Sequence, residues 1–269
     1  MSDKLRDLKE YADIAKEILE NDTKYLDDKS LISEAFRLKR ETRGAVVFRL
    51  TIIDSYYSTQ MGKRLFGIED IADKIYDISA DDEVLRDKFI KYLLSPGESN
   101  EIDNLFISNY GIDKTGKNAG RGASLISKYA YFLTEYRFPI YDRLVKEAYP
   151  CINAAYPQLS LDTLSDDCGG EFFKRISELN ERSNIKDYDK LDNLLWLYGK
   201  IKEGSFSLIL SKQVYLRLIP NIDFNGVKKS REKDDRIREY IKRNIKTKLL
   251  REVFSKPAIE FIRFCLFET

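Results

Sequence analysis

Apolar residues recur at helical spacing along almost the whole chain, and the strict alternation that marks strands is scarce. Leu5, Leu8, Tyr11, Ile14, Ile18 and Leu19 form one face of a first helix. The same spacing predicts helices over 29–40, 45–60, 68–78, 81–94 and 100–108. Further helices are predicted over 123–135, 141–148, 170–183, 188–198, 207–218, 230–251 and 255–267. Ser95-Pro96-Gly97, Tyr149-Pro150 and Ile219-Pro220-Asn221 read as breakers, because proline removes a helix donor and glycine loosens the backbone. The expected fold is all-α, with no internal repeat and no low-complexity tract.

One segment departs from this plain helical text. Gly120-Arg121-Gly122 can turn the chain sharply, since glycine accepts positive φ without steric cost. A helix follows, and Tyr136-Arg137-Phe138 then leads to Pro139, which ends any helical run. Asp142, the last residue of Pro139-Ile140-Tyr141-Asp142, is therefore expected at the start of the next helix, just past a rigid corner.

Composition narrows the chemistry. The chain has no histidine, so His-based zinc sites and Ser-His or Cys-His catalysis are excluded, and carboxylate or amine chemistry gains weight. Cys151, Cys168 and Cys265 are scattered and odd in number, which fits free thiols in a reducing compartment. Lys+Arg (46) and Asp+Glu (45) nearly cancel, so any nucleic-acid contact must come from local patches. There is no N-terminal apolar run and no stretch of membrane-spanning length, so a soluble cytoplasmic protein without membrane contact is expected.

The segment from Gly120 to Asp142 resembles the helix-hairpin-helix base-excision DNA glycosylases, nearest to the adenine glycosylase and endonuclease III branch. Gly120 and Gly122 match the hairpin glycines, and Pro139-Ile140-Tyr141-Asp142 matches the segment that supplies the catalytic aspartate. Ser124 stands where bifunctional members carry a Schiff-base lysine, as it does in monofunctional adenine glycosylases. Ala119 replaces a frequent proline, and three cysteines are too few for the four-cysteine iron–sulfur site of several relatives. The resemblance implies two helical lobes with a cleft between them. Residues 42–137 would form the central lobe with the hairpin, and 1–41 plus 138–269 the second. It also implies double-stranded DNA as partner, a monomer, no metal or organic cofactor for the chemistry, and a monovalent cation on the hairpin carbonyls.

On this resemblance Asp142 stabilises the oxocarbenium-like sugar and orients or deprotonates water. Read by position alone it is a helix cap. Gly120, Arg121, Gly122 and Ser124, with Lys117, would clamp phosphate, although most isolated Gly-x-Gly segments are ordinary turns. Lys128 lies one turn after Ser124 on the same helix face, where it could act as an amine nucleophile or serve as a solvated lysine. In the stretch from Arg49 to Gln60, Asp54 could protonate or hydrogen-bond the leaving base, and Tyr56 or Tyr57 could stack on it or fill the gap it leaves. Otherwise these tyrosines are core contacts of an amphipathic helix. The basic stretch Lys228 to Arg251 could line a DNA path or be a solvated, self-paired helix. The segment around Trp196 reads as a buried helix ending at Gly199, with Trp196 in the core.

The expectation is a monofunctional DNA glycosylase, acting in repair or in defence against phage DNA with modified cytosine. A non-catalytic helix-hairpin-helix DNA-binding module and a helical interaction protein are the alternatives.

Overall fold

A computed structural model describes residues 6–38, 42–57, 59–98, 100–164, 168–206, 212–227 and 229–267. Leu5, Ser58, Lys228 and residues 207–211 of the helix predicted over 207–218 lie outside the described residues. The fold is all-α: the described residues contain fourteen α-helices and no strand.

In chain order these are α1 (Leu8–Glu20), α2 (Thr23–Arg37), α3 (Arg43–Tyr57), α4 (Gly67–Ile78), α5 (Asp82–Leu94), α6 (Asn100–Ile107) and α7 (Ala123–Leu133). They are followed by α8 (Arg143–Ala155), α9 (Gly170–Arg182), α10 (Tyr188–Glu203), α11 (Lys212–Leu218), α12 (Ser230–Asn244), α13 (Lys248–Val253) and α14 (Lys256–Phe267). Aspartates begin many of them: the side chains of Asp7, Asp22, Asp81, Asp142 and Asp187 each accept from a first-turn amide. That bond satisfies a donor the helix cannot pair for itself.

Two sets of contacts organise the helices. α3 packs on α4 and α7, and α7 also on α5 and α6. α10 packs on α1, α8 and α14, joining both ends of the chain. α2 touches α1 on one side and α3 and α7 on the other. Arg49, 1 % exposed, stitches this junction by binding the Asp82 carboxylate at 2.9–3.0 Å and the carbonyls of Ala35, Phe36 and Leu38.

Several boundaries differ from the sequence expectation, and four of the differences have a visible cause. α2 starts at Thr23 because Asp22 caps it, with its carboxylate on the Tyr25 amide at 3.1 Å. α8 runs through Pro150 rather than ending there. Leu144, Val145, Ala148, Tyr149 and Ile152 keep helical spacing across the proline and bury together, while Pro150 faces solvent. Burial of that stripe outweighs the one donor lost.

α10 passes through Gly199 and stops at Gly204, whose φ of +82° is the left-handed cap. Gly199 is instead a packing residue: a Cβ there would lie 2.8 Å from Leu144 Cβ, so α8 and α10 can approach closely only with glycine at that point. The helix predicted over 230–251 is broken, because the Asn244 amide bonds back to the Tyr240 carbonyl and Thr247 closes on the Asn244 carbonyl.

Candidate functional site

Residues 108–122 connect α6 to α7 as an irregular arm, longer than a tight hairpin. Its limbs are held by bridges between Asn109 and Arg121 and between Ile112 and Asn118. The two glycines have different reasons to be glycine. Gly120 has φ +99°, and the space a side chain would fill there is open. Gly122 has ordinary φ, but a Cβ would sit 2.6 Å from Ile71 Cδ1. Arg64 approaches from the far side and donates to the carbonyls of Gly120 (2.7 Å) and Arg121 (3.1 Å). A guanidinium therefore already serves the carbonyls to which the family resemblance assigns a monovalent cation. Arg121 is exposed and also reaches the Cys168 thiol at 3.2 Å, and Lys117 is exposed at the arm's tip.

The corner after α7 is built by two successive left-handed residues, Glu135 (φ +55°) and Tyr136 (φ +69°). Phe138 then plugs into an aromatic cluster with Phe89, Phe106 and Phe173, and the Tyr141 amide donates to the buried Ser127 hydroxyl at 2.9 Å. These anchors deliver Asp142 to the first turn of α8. One carboxylate oxygen accepts from the Leu144 amide at 2.9 Å, and the other meets Lys128 Nζ at 3.0 Å. Lys128 also donates to Ser124 Oγ at 2.8 Å, so Ser124, Lys128 and Asp142 form one chain. Burial opposes charge on Asp142, but Lys128, the Leu144 amide and Lys200 offset it and hold the carboxyl below the usual range.

Beside this chain lies a cavity of about 340 Å³, lined where α2, α3 and α10 meet by Tyr25, Tyr56, Tyr57, Asp192, Asn193, Trp196 and Lys200 among others. Lys128 and Asp142 do not line it. The Lys128 ammonium is 5.5 Å from the Tyr57 ring centre, and Asp192 feels the charges of both Asp142 and Lys128. Burial pushes Asp192 up to about 7, with Asp142 adding to the rise, Lys128 opposing it, Asp189 adding and Lys29 opposing. Tyr25 donates to Asn193 Oδ1 at 2.6 Å, which fixes both side chains in the wall.

Other residues singled out from sequence fall elsewhere. Asp54 closes the loop after α3, accepting from the amides of Met61 (2.9 Å) and Gly62 (2.8 Å) and from the Thr59 hydroxyl. Tyr56 is 44 % exposed at the cavity, while Tyr57 is half-buried against Phe132. The basic C-terminal stretch is paired in part, with Arg238 on Asp235 inside it and Lys248 on Glu252 just past its end.

Sequence reasoning missed Asp192, Tyr25, Lys200 and Arg64; Trp196, read as core, packs half-buried against it and also borders the cavity. A signal existed for α10. Asp189, then Asp192 and Asn193, then Trp196 and Lys200 recur at steps of three or four, so they share one face. No signal tied Arg64 to the arm, since that contact is long-range. Comparison with family models, with curated proteins and with solved structures finds no match to this chain.

Proposed function

We propose that the protein is a DNA N-glycosylase that releases a flipped base by direct hydrolysis, in DNA repair or in defence against phage with modified cytosine. One observation carries the reading: a carboxylate fixed at a rigid corner, downstream of an open glycine turn, stays partly exposed near an aromatic cavity. Each Asp142 oxygen has one protein partner, and a carboxylate oxygen has two lone pairs, so acceptor capacity remains for a water or a sugar.

In the reaction the C1′–N bond breaks and its electron pair leaves on the base. Negative charge on Asp142 stabilises the sugar cation. Water adds to C1′, and its proton passes to the carboxylate. Lys128 acts as a positioning residue: an ammonium engaged by a carboxylate has no free lone pair for a Schiff base. The Gly120 turn, Arg121 and Lys117 supply amide and cationic groups for phosphate.

The test is mass spectrometry of bases released from damaged and phage-modified duplexes, with alkali-labile sites scored in parallel. Release of a base with matching abasic sites supports the reading. Salt-sensitive binding without release from any substrate would favour a non-catalytic DNA-binding module, a reading that the Asp142 bond to the Leu144 amide also suits.

A further inference from the structure

α12 carries a basic strip that the hydrolysis above leaves unused. Between residues 229 and 251 the sequence holds ten Lys and Arg against four Asp and Glu, whereas the whole chain has a net charge of only +1. The remainder of the molecule is therefore net negative, and a polyanion is drawn to this stretch. Lys229, Lys233, Arg236 and Arg243 follow at steps of four, three and seven residues, so they stand in line on one face of α12. All four are exposed, and none makes an ion pair among the described residues.

Most of the helix's acids are engaged elsewhere. Asp234 and Asp235 border the polar cavity between α12 and α8, where Arg238 holds Asp235 at 3.0 Å. Glu232 folds back on the Lys229 amide at 3.4 Å, which leaves Glu239 as the acid beside the strip. The helix is also firmly seated. Ile237 and Ile241 are buried beneath it, and Arg238 donates to the Lys202 carbonyl at the end of α10 at 2.8 Å. A Cβ on Gly204 would lie 2.6 Å from the Asp234 carbonyl oxygen, so the two chains meet closely there. Arg231 and Arg238 share a cavity of about 680 Å³ with Arg143, the residue that follows Asp142. α12 thus flanks the corner that holds the candidate carboxylate.

The chemistry of the strip selects its partner. A membrane surface needs apolar side chains to insert, and a protein interface needs an apolar or aromatic centre. α12 exposes no large apolar side chain, since both its isoleucines are buried. A row of unpaired cations without apolar company fits a phosphate backbone. From Lys229 to Arg243 the row covers about 21 Å of helix, the length of about six base pairs of duplex.

We propose that α12 is a second phosphate grip, which holds the duplex to one side of the nucleotide presented to Asp142 through Lys229, Lys233, Arg236 and Arg243. The inference deepens the proposed function by extending its DNA footprint, and it rests on that reading only for the place of the flipped nucleotide.

The test is the salt dependence of binding to a short fluorescent duplex, read by anisotropy with the intact protein. Changing all four side chains to glutamine removes up to four phosphate contacts, so the slope of log K against log salt should fall by about 3, at roughly 0.9 per phosphate. Affinity at about 0.1 M salt should drop on the order of a thousandfold, with the circular dichroism unchanged. Lys233→Gln with Arg236→Gln should lose about half as much slope, which keeps the test open if the fourfold variant folds poorly. As a control, Lys9→Gln, Lys74→Gln, Lys91→Gln and Lys174→Gln together remove the same charge from exposed sites on α1, α4, α5 and α9. They should lower the slope by less than about 1. An unchanged slope in the α12 variants, an equal fall in the control, or no salt-sensitive duplex binding by the wild type overturns the inference. Loss of binding to phosphatidylserine vesicles with the duplex slope intact also overturns it and marks a membrane surface instead. Base release by the wild type with an unchanged slope in the variants sinks this inference and leaves the proposed function standing; a lost slope without release from any DNA does the reverse.

Discussion

Lys128 and Asp142 face each other at 3.0 Å between α7 and the first turn of α8, and their exposures are unequal, 3 % for the lysine side chain and 24 % for the aspartate. The cation is dry and the anion is wetter, so the pair turns its negative end toward solvent. This asymmetry suits a carboxylate meant to meet a developing positive charge. It also means that either partner alone would be badly placed, since an unpaired buried charge is costly.

Asp142→Asn separates catalysis from capping. Asparagine is as good a helix cap as aspartate, so α8 should still form. The uncompensated Lys128 should lower stability by about 3 kcal/mol, and base release should vanish while duplex binding persists. Adding Lys128→Met should recover much of the stability and none of the activity. Calorimetry with a release assay checks both, and recovered activity in the double variant would refute a catalytic Asp142.

Acid should remove the same contribution. The folded-state pKa of Asp142 is depressed, so its stabilisation is present above the ordinary carboxylate range and lost as pH falls through the lowered value. The stability gap between the wild type and Asp142→Asn should therefore be full at neutrality and close in strong acid. A gap that widens on acidification would contradict the ion pair.

Borohydride should trap no covalent adduct between the protein and substrate DNA, because Lys128 is engaged by both Asp142 and Ser124. Gel analysis of the reduced mixture is the measurement. An adduct that disappears in Lys128→Ala would show that the lysine leaves its partners to attack C1′.

The helices were legible because burial follows a 3.6-residue period, and the corner at Pro139 was legible because proline and its neighbour are sterically confined. What escaped was decided across the fold. Pro150 looked like a stop until the buried stripe of α8 carried the helix past it, and Gly199 looked like an end although its neighbour Leu144 makes it a point of contact. Asp142 and Lys128 could be singled out one by one, but their pairing depends on the turn at Glu135 and Tyr136. Asp192 was hidden in an apolar run whose polar face has meaning only opposite Tyr25 and Tyr57.

The arm's two glycines should fail differently. Gly120→Ala meets open space but sits at φ +99°, so roughly 1–2 kcal/mol of backbone strain and weaker DNA binding are expected. Gly122→Ala drives a methyl into Ile71 and should cost roughly 1–3 kcal/mol by overpacking. Pairing it with Ile71→Val should recover part of that loss, whereas Ile71→Val should do nothing for Gly120→Ala. Denaturant unfolding of the four variants tests the distinction.

Asp192 should be a burden on the unliganded fold. Its folded pKa of about 7 lies above the unfolded value, so the folded state binds more protons through the interval between them and loses stability as pH rises across it. Removing the charge should therefore stabilise the protein at pH above that interval and change little below it. We expect Asp192→Asn to gain on the order of 2 kcal/mol in mild alkali, a discounted figure because water reaches the cavity. The gain should shrink towards nothing in acid. A variant equally or less stable than the wild type in alkali would show that its surroundings already compensate this carboxylate's charge.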